Sequence, residues 1–273
     1  MYDPSRSHQV EQLSAANYDR RMTQEIDVSF LPEPFGGKSL TGTFAVVIDV
    51  LRASTTIVTA LAHGAKCVIP FSTPQEALAH CENLKTTKNV LLGGERHGIL
   101  VDGFDLGNSP LSYDSQTVRD CTVLFTTTNG TNALLKSTDA DEIVVGSFVN
   151  LSAVTRHLAV RRKKVRFVCA GTDGEVSFED VLCAGAMIEK MARTSTDEFH
   201  LSDAAVIARS LHRQHRQTQR LLFEALKEGR GGRNLLELGF EEDIEFASKV
   251  DLFEMVPRYN PREGRIEPIS ANG

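Results

Sequence analysis

The chain has 273 residues, of which 41% are hydrophobic and 24% charged, with a formal net charge of −6. That length buries a full core and suits one large α/β domain or one domain with a smaller partner, while the acidic balance gives no electrostatic reason to expect nucleic acid as a partner. No stretch approaches the ~20 apolar residues of a membrane span, and the N-terminus lacks the basic-then-apolar order of a signal peptide, so no membrane is expected and the cytoplasm is the expected location.

Residues 1–24 are polar and rich in Ser, Arg and Gln, and read as a flexible N-terminal extension. The domain expected over 25–273 opens with "IDVSFLP", a first strand stopped by Pro32 and Pro34. An apolar-strand, polar-loop, helix rhythm then repeats. Strand 43–49 leads into helix 53–63, and "KCVIPF" precedes a helix opened by Ser72, Thr73 and Pro74. "NVLLG" ends at the loop GGERHG, and "CTVLF" runs into TTTNGT and a short helix. "EIVVG" runs into SFVN and helix 151–159, and "VRFVCA" into GTDGEVSFED and a helix reaching about Ala192. Strands alternating with helices predict a three-layer α/β/α fold with a mostly parallel sheet, whose ligand sites lie outside the carboxyl ends of the strands.

Near residue 196 the rhythm changes, which is where the domain would subdivide. Ser202 and Asp203 open a helix, Leu221, Leu222, Phe223 and Leu226 mark a second, and Gly229, Gly231 and Gly232 break it from the next. "FEMVPRYN" and "RIEPI" read as closing strands. The one basic cluster, RHLAVRRKKVR (156–166), is a helix end leading into a strand and reads as a solvated face. The five cysteines are odd in number, lack paired metal-site spacing and read as reduced core residues, with Cys169, at a strand end, the candidate for reactivity.

Four polar turns carry the candidate chemistry. In DVLRASTT, Asp49 at a strand end suits a divalent metal, Arg52 suits an oxyanion, and Ser54, Thr55 and Thr56 suit phosphate oxygens. Helix capping by Ser54 or Thr55, with Asp49 paired to Arg52, explains the same residues structurally. In GGERHGILVDGFDLGNSP, the charge comes from Glu95, Arg96, His97, Asp102 and Asp105, of which Glu95 and Asp105 are the better candidates for metal or water. FTTTNGTNAL repeats the first geometry: Thr126, Thr127, Thr128, Asn129 and Thr131 offer uncharged donors, and Gly130 permits a left-handed backbone or close approach. Two such turns at matching strand ends argue for an anionic ligand between them. In CAGTDGEVSFEDVLCAGAMI, Ser177 and Asp180 have capping-box-like spacing, while Glu179 and Asp180 form a carboxylate pair suited to Mg²⁺. Ala184, Gly185 and Ala186 make a narrow helix suited to close packing on the sheet.

Neither a Walker A lysine loop nor a Gly-x-Gly-x-x-Gly turn opens a helix, so a nucleotide cofactor is not favoured. Leu51 stands where an aspartyl-phosphate enzyme of the haloacid dehalogenase type would place its second Asp. Taken together and in order, VVIDVLRASTTIVTAL, GGERHG with GFDLGNSPL, FTTTNGT, GSFVN and CAGTDGEVSFEDVLCAG resemble the 2-phosphosulfolactate phosphatase family over residues 26 to 260. The resemblance implies a Mg²⁺-dependent hydrolase that converts 2-phospho-3-sulfolactate to 3-sulfolactate on the route to coenzyme M. Two departures from that pattern are Ser54, where Thr is common, and His97, where Gly is common. The catalytic set expected is Asp49, Arg52, Glu95 and Asp180, and metal ligands are drawn from Asp49, Glu95, Asp105, Glu179 and Asp180. Substrate contacts are expected from Ser54, Thr55, Arg96, Thr127, Thr128, Asn129, Gly130 and Thr131, and the expected assembly is a homodimer. A metal-dependent phosphatase for another small phosphorylated hydroxy acid, or an anion-binding protein without turnover, are the competing readings.

Overall fold

A computed structural model describes residues 23–32, 39–84, 89–161, 163–195, 198–215 and 218–269. The strands among them are β1 (Gln24–Ser29), β2 (Thr43–Ile48), β3 (Cys67–Pro70), β4 (Val90–Arg96), β5 (Ile99–Leu100), β6 (Thr122–Thr126), β7 (Glu142–Gly146), β8 (Lys164–Cys169), β9 (Phe199–Leu201), β10 (Pro257–Asn260) and β11 (Arg265–Pro268). The α-helices are α1 (Ala53–Ala62), α2 (Pro74–Asn83), α3 (Ser115–Val118), α4 (Gly130–Leu135), α5 (Leu151–Arg161), α6 (Phe178–Thr194), α7 (Asp203–His215), α8 (Gln219–Glu228), α9 (Arg230–Glu237) and α10 (Glu241–Ala247). The fold is α/β with a mostly parallel sheet, helices after residue 202 and closing strands. The extension expected over 1–24 falls almost wholly outside the described residues, and Gln24 already belongs to β1.

Both faces of the sheet are buried, which is why β2 reads as an unbroken apolar run. Phe44, Val46 and Ile48 pack in one core with α5, α6, α7 and α8, while Ala45 and Val47 pack in a second with α1 and α4. The strand order is β5-β4-β6-β3-β11-β10-β7-β2-β8-β1-β9. Pairings from β7 through β9 are parallel, as are β3 with β6 and β6 with β4. The β10–β11 hairpin joins the two parallel blocks by antiparallel pairing to β7 and β3.

Three successive reversals set the two blocks in opposite senses along the ladder, yet the carboxyl ends of β2, β4 and β6 meet at one cleft. Strand twist supplies the reason. At about 20–25° per step, the five steps from β6 to β2 accumulate roughly 100–125°, which turns two opposed directions into converging ones.

Several local expectations are corrected. GGERHG is strand through Arg96, because β4 pairs with β6 as far as Gly94 and then folds back on β5 at Glu95 and Arg96. Gly231 and Gly232 lie inside α9, and only Gly229 separates it from α8. Gly185 faces α7 rather than the sheet: a Cβ there would sit 2.0 Å from the Ala208 carbonyl oxygen. Ser177 makes no side-chain cap bond to α6, so the capping box is not formed. The basic cluster is largely a solvated face as expected, exposed at Arg156, Lys163 and Lys164, and its side chains pair with acids, Arg156 with Glu254, His157 with Glu142, Lys163 with Asp141, Lys164 with Glu25 and Arg166 with Asp27. Cys169 is fully buried and burial pushes its thiol well up, the opposite of what a reactive cysteine needs. Among the described residues no helix is long and apolar enough to cross a membrane.

Candidate active site

A cleft of about 250 Å³ opens at the carboxyl ends of β2, β4, β6 and β8 and is roofed by α9. Asp49 and Arg52 come from the β2–α1 turn, Glu95 from the end of β4, His97 from the β4–β5 turn, Thr128 and Asn129 from the β6–α4 turn, and Thr172 and Asp173 from the turn after β8. Gly231, Asn234, Leu235 and Leu238 close it from α9 and its C-cap. Of the residues expected from sequence, the structure therefore brings Asp49, Arg52, Glu95, Thr128 and Asn129 to one cleft, with His97 at its rim.

Asp49 ends β2 and is 7% exposed. Its Oδ1 accepts from the Ala53 amide at 3.3 Å, and Oδ2 accepts no hydrogen bond from the described residues. Burial, reinforced by the charges of Glu95 and Glu179 and opposed by the Ala53 amide and Arg52, pushes its pKa from 3.8 up to about 7. Gly130 explains how α4 approaches so closely. A Cβ at that position would lie 2.6 Å from Asp49 Oδ2 and 2.5 Å from the Ala53 Cβ, so a glycine is required for the two turns to touch.

Glu95, 6% exposed, knits the second and third turns together. Its Oε1 accepts from the Thr128 amide at 2.8 Å, and Oε2 accepts from the Gly98 amide at 2.7 Å and the Thr128 hydroxyl at 3.2 Å. These bonds fix the carboxylate beside the cleft, filling both lone-pair sites of Oε2 and leaving one on Oε1.

Arg52 does not pair with Asp49. Its Nη1 donates to Asp243 Oδ2 at 2.7 Å and its Nη2 to the Gly98 carbonyl at 2.9 Å, with Cζ 4.4 Å from the centre of the Phe240 ring. Arg52 and Asp243 are both nearly fully buried, and the second oxygen of Asp243 accepts from the Ser109 hydroxyl at 2.6 Å. Asp243 and Phe240 were not anticipated. The only signal for Asp243 was an acidic run at the start of α10, which a helix macrodipole explains without any site.

The remaining expected residues sit elsewhere. The Ser54 hydroxyl accepts from the Asp49 amide at 2.8 Å, and Thr55 Oγ1 donates to the Val50 carbonyl at 2.8 Å beside Ser147 Oγ, so both are committed to holding the turn. Thr127 and Thr131 bond each other. Arg96 donates to the Glu95 and Ser72 carbonyls and to Thr126 Oγ1. Asp105 is corrected as a metal candidate: it is exposed, and its Oδ2 accepts from the Leu92 amide at 2.8 Å. Asp180 accepts from the Val50 amide at 2.8 Å and the Gly171 amide at 3.2 Å, tying the ends of β2 and β8 together below the cleft. Burial, Asp49 and Glu179 push its pKa well up. Glu179, 1% exposed, lies behind Gly229 and Gly231, whose missing Cβ atoms would fall 2.2 and 2.1 Å from its carboxylate oxygens. Its Oε2 has no partner among the described residues, and burial raises its pKa.

The donor set suits a hard cation held by few protein ligands. Among the described residues no three His, Cys, Asp or Glu side chains converge on one point, so the five-carboxylate set expected is not assembled. The buried acids that line the cleft are Asp49, with one uncommitted oxygen, and Glu95, while Asp173 and Glu237 line it from exposed positions. Mg²⁺ is commonly held by one or two carboxylates together with water and substrate phosphate, and two buried acids lining one cleft fit a divalent ion between them.

The family described as 2-phosphosulpholactate phosphatase matches residues 30–262. A protein named "Probable 2-phosphosulfolactate phosphatase" from Pseudothermotoga lettingae is 43% identical over 232 residues, 85% of this chain and 94% of its own length. One of the same name from Caldanaerobacter subterraneus is 43% identical over 213 residues, 78% of this chain and 86% of its own, and one from Clostridium perfringens is 37% identical over 248 residues, covering 90% and 97%. The chain belongs to the 2-phosphosulpholactate phosphatase family, a family of phosphoric monoester hydrolases.

Proposed function

We propose that this chain is a Mg²⁺-dependent phosphatase that hydrolyses 2-phospho-3-sulfolactate to 3-sulfolactate and phosphate, the reaction that would serve coenzyme M synthesis. The observation that carries the reading is a single cleft that sets a fixed guanidinium, Arg52, beside two buried carboxyl groups, Asp49 and Glu95. A small ester bearing phosphate, sulfonate and carboxylate is strongly anionic, and the chain is acidic overall, so its attraction has to be local.

Asp49 and Glu95 would hold Mg²⁺, which when bound neutralises phosphoryl charge and polarises the P–O bonds. Arg52 directs its remaining N–H donors at the phosphoryl oxygens, and Thr128 and Asn129 contribute uncharged contacts from the opposite turn. Water attacks phosphorus in line with the ester oxygen. The new O–P bond forms as the ester P–O bond breaks, a cleft carboxylate takes the proton of the attacking water, and the leaving alkoxide takes a proton from solvent, to which the carboxylate then returns its own. Leu51, two residues after Asp49, removes the acid partner that an aspartyl-phosphate route requires, which favours direct attack. His97 and Asn234 stand at the rim where the sulfonate and carboxylate of such a substrate would project.

The test is phosphate release from racemic 2-phosphosulfolactate, beside phosphoglycolate and phospholactate, with Mg²⁺ and with EDTA. Release that needs the metal and favours the sulfonate supports the whole reading. Release only from the other esters keeps the phosphatase and discards this substrate. A chain that binds phosphate and releases none from any ester is a receptor.

A further inference from the structure

We propose that Asp243, on the C-terminal helix α10, is the positioning residue for Arg52: it acts through the guanidinium by fixing where its donors point. The proposal rests on the phosphatase reading for what Arg52 does, but its test does not need turnover.

Arg52 stands on the first turn after β2 with two alternatives for a counter-charge. Asp49 is three residues away, but its amide and Oδ1 are occupied by the turn itself, through the Ser54 hydroxyl and the Ala53 amide. The charge that meets Arg52 comes instead from 191 positions further along the chain. Three contacts then define the plane of the guanidinium. Asp243 Oδ2 takes Nη1 at 2.7 Å, the Gly98 carbonyl takes Nη2 at 2.9 Å, and the Phe240 ring lies 4.4 Å from Cζ. Asp243 is itself held from the other side by the Ser109 hydroxyl at 2.6 Å.

Guanidinium carries five N–H donors, and these contacts use two. Nε–H and one N–H on each of Nη1 and Nη2 make no hydrogen bond to the described residues, on a side chain that lines the cleft. A charged fork held at both Nη atoms, with donors to spare, is pre-organised for an oxyanion and loses little freedom on binding one. If Asp243 is removed, Arg52 keeps its charge and loses its aim. A displacement of about 1 Å at a positioning group is enough to cost on the order of 10²-fold in rate.

The experiment measures inorganic phosphate binding by calorimetry in Mg²⁺ buffer, and kcat and KM on whichever ester the wild type hydrolyses. Asp243→Ala is expected to weaken phosphate binding and kcat/KM by about 10²-fold. Asp243→Asn keeps an acceptor for Nη1 and a polar contact for Ser109, and is expected to recover most of the loss. In an Arg52→Ala background, Asp243→Ala is expected to change phosphate binding no further, because a residue that acts only through Arg52 has nothing left to act on. It should also raise the melting temperature there, by removing a buried charge left without its partner, whereas it lowers it in the wild type.

Ser109→Ala leaves the ion pair in place and covers the case in which Asp243→Ala does not fold. It should weaken phosphate binding about 3- to 10-fold, the value of one hydrogen bond. Equal losses from Asp243→Ala with and without Arg52, or unchanged phosphate binding in both alanine variants, overturn the proposal. A wild type that binds phosphate but hydrolyses no ester sinks the phosphatase and leaves this test standing, while a wild type that binds no phosphate sinks both.

Discussion

Asp49→Asn should make the metal-free protein more stable and the enzyme inactive, with the gain in stability growing with pH. Burial and the neighbouring acids raise the Asp49 pKa from 3.8 to about 7. A raised carboxyl favours the protonated folded state, so its contribution is fully present below pH 4 and is lost as pH rises toward 7. At about 1.4 kcal/mol per unit, ionised Asp49 costs the fold roughly 4 kcal/mol at pH 8 and about 2 to 3 kcal/mol less at pH 5. Asparagine has the same shape, keeps the Ala53 amide contact and carries no charge at either pH. It also relieves Asp180, on which Asp49 acts as the largest charge effect after burial.

In EDTA the variant should therefore melt above the wild type, by about 5–10 °C more at pH 8 than at pH 5, taking about 2–4 °C per kcal/mol for a chain of this size. Phosphate release with Mg²⁺ should fall by about 10²–10³-fold. The assays are a pair of thermal melts at each pH and one turnover measurement. A melting gap independent of pH would refute the electrostatic account of the turn, and wild-type turnover in Asp49→Asn would refute the site.

Three further outcomes follow from packing and charge. Gly130→Ala forces a methyl to within 2.6 Å of Asp49 Oδ2, so it should cost about 1–3 kcal/mol in denaturant melts and lower turnover with it. Gly185→Ala meets the Ala208 carbonyl at 2.0 Å between α6 and α7, far from the cleft; a comparable loss of stability with an unchanged KM is expected, and a changed KM would contradict its structural assignment. Burial raises the Glu189 pKa, but hydrogen bonds from Arg209, Arg213 and Arg193 outweigh it and bring it down to about 2. Its stabilisation is thus present above about pH 4.5 and lost as pH falls toward 2, so the melting deficit of Glu189→Gln should be largest at pH 7 and narrower at pH 3.5.

The parts of this molecule legible in the sequence are those set by local pattern. The unbroken apolar run of β2, Thr73 capping α2 ahead of Pro74, and polar residues at the ends of apolar runs all point to where the elements lie, and the places of Asp49, Glu95, Thr128 and Asn129 at the cleft follow from position alone. Position does not say where a side chain's bonds go. Ser54, Thr55, Thr127 and Thr131 have the chemistry of phosphate ligands, but each lies within hydrogen-bond reach of an unpaired backbone group in its own turn, and the local partner wins. Asp180 was legible as a buried acid and illegible as a strap between β2 and β8, because its two amide partners come from loops 130 and 9 residues away.

The Arg52 counter-ion was the hardest to read, and the reason is chemical. A guanidinium buried at the end of β2 requires a carboxylate, since a lone buried charge is too costly, and the nearest in sequence is Asp49. Had those two neutralised each other, the turn would be stable and the cleft would hold neither a free acid for a cation nor a free base for an anion. Taking the partner from α10 leaves Asp49 with an uncommitted oxygen and Arg52 with uncommitted donors, side by side at one strand end. The cost is that the site is complete only when the last helices have docked, which is why a run reading as an ordinary acidic helix start, EEDIEF, contributes the residue that lets the first turn of the fold keep both its charges.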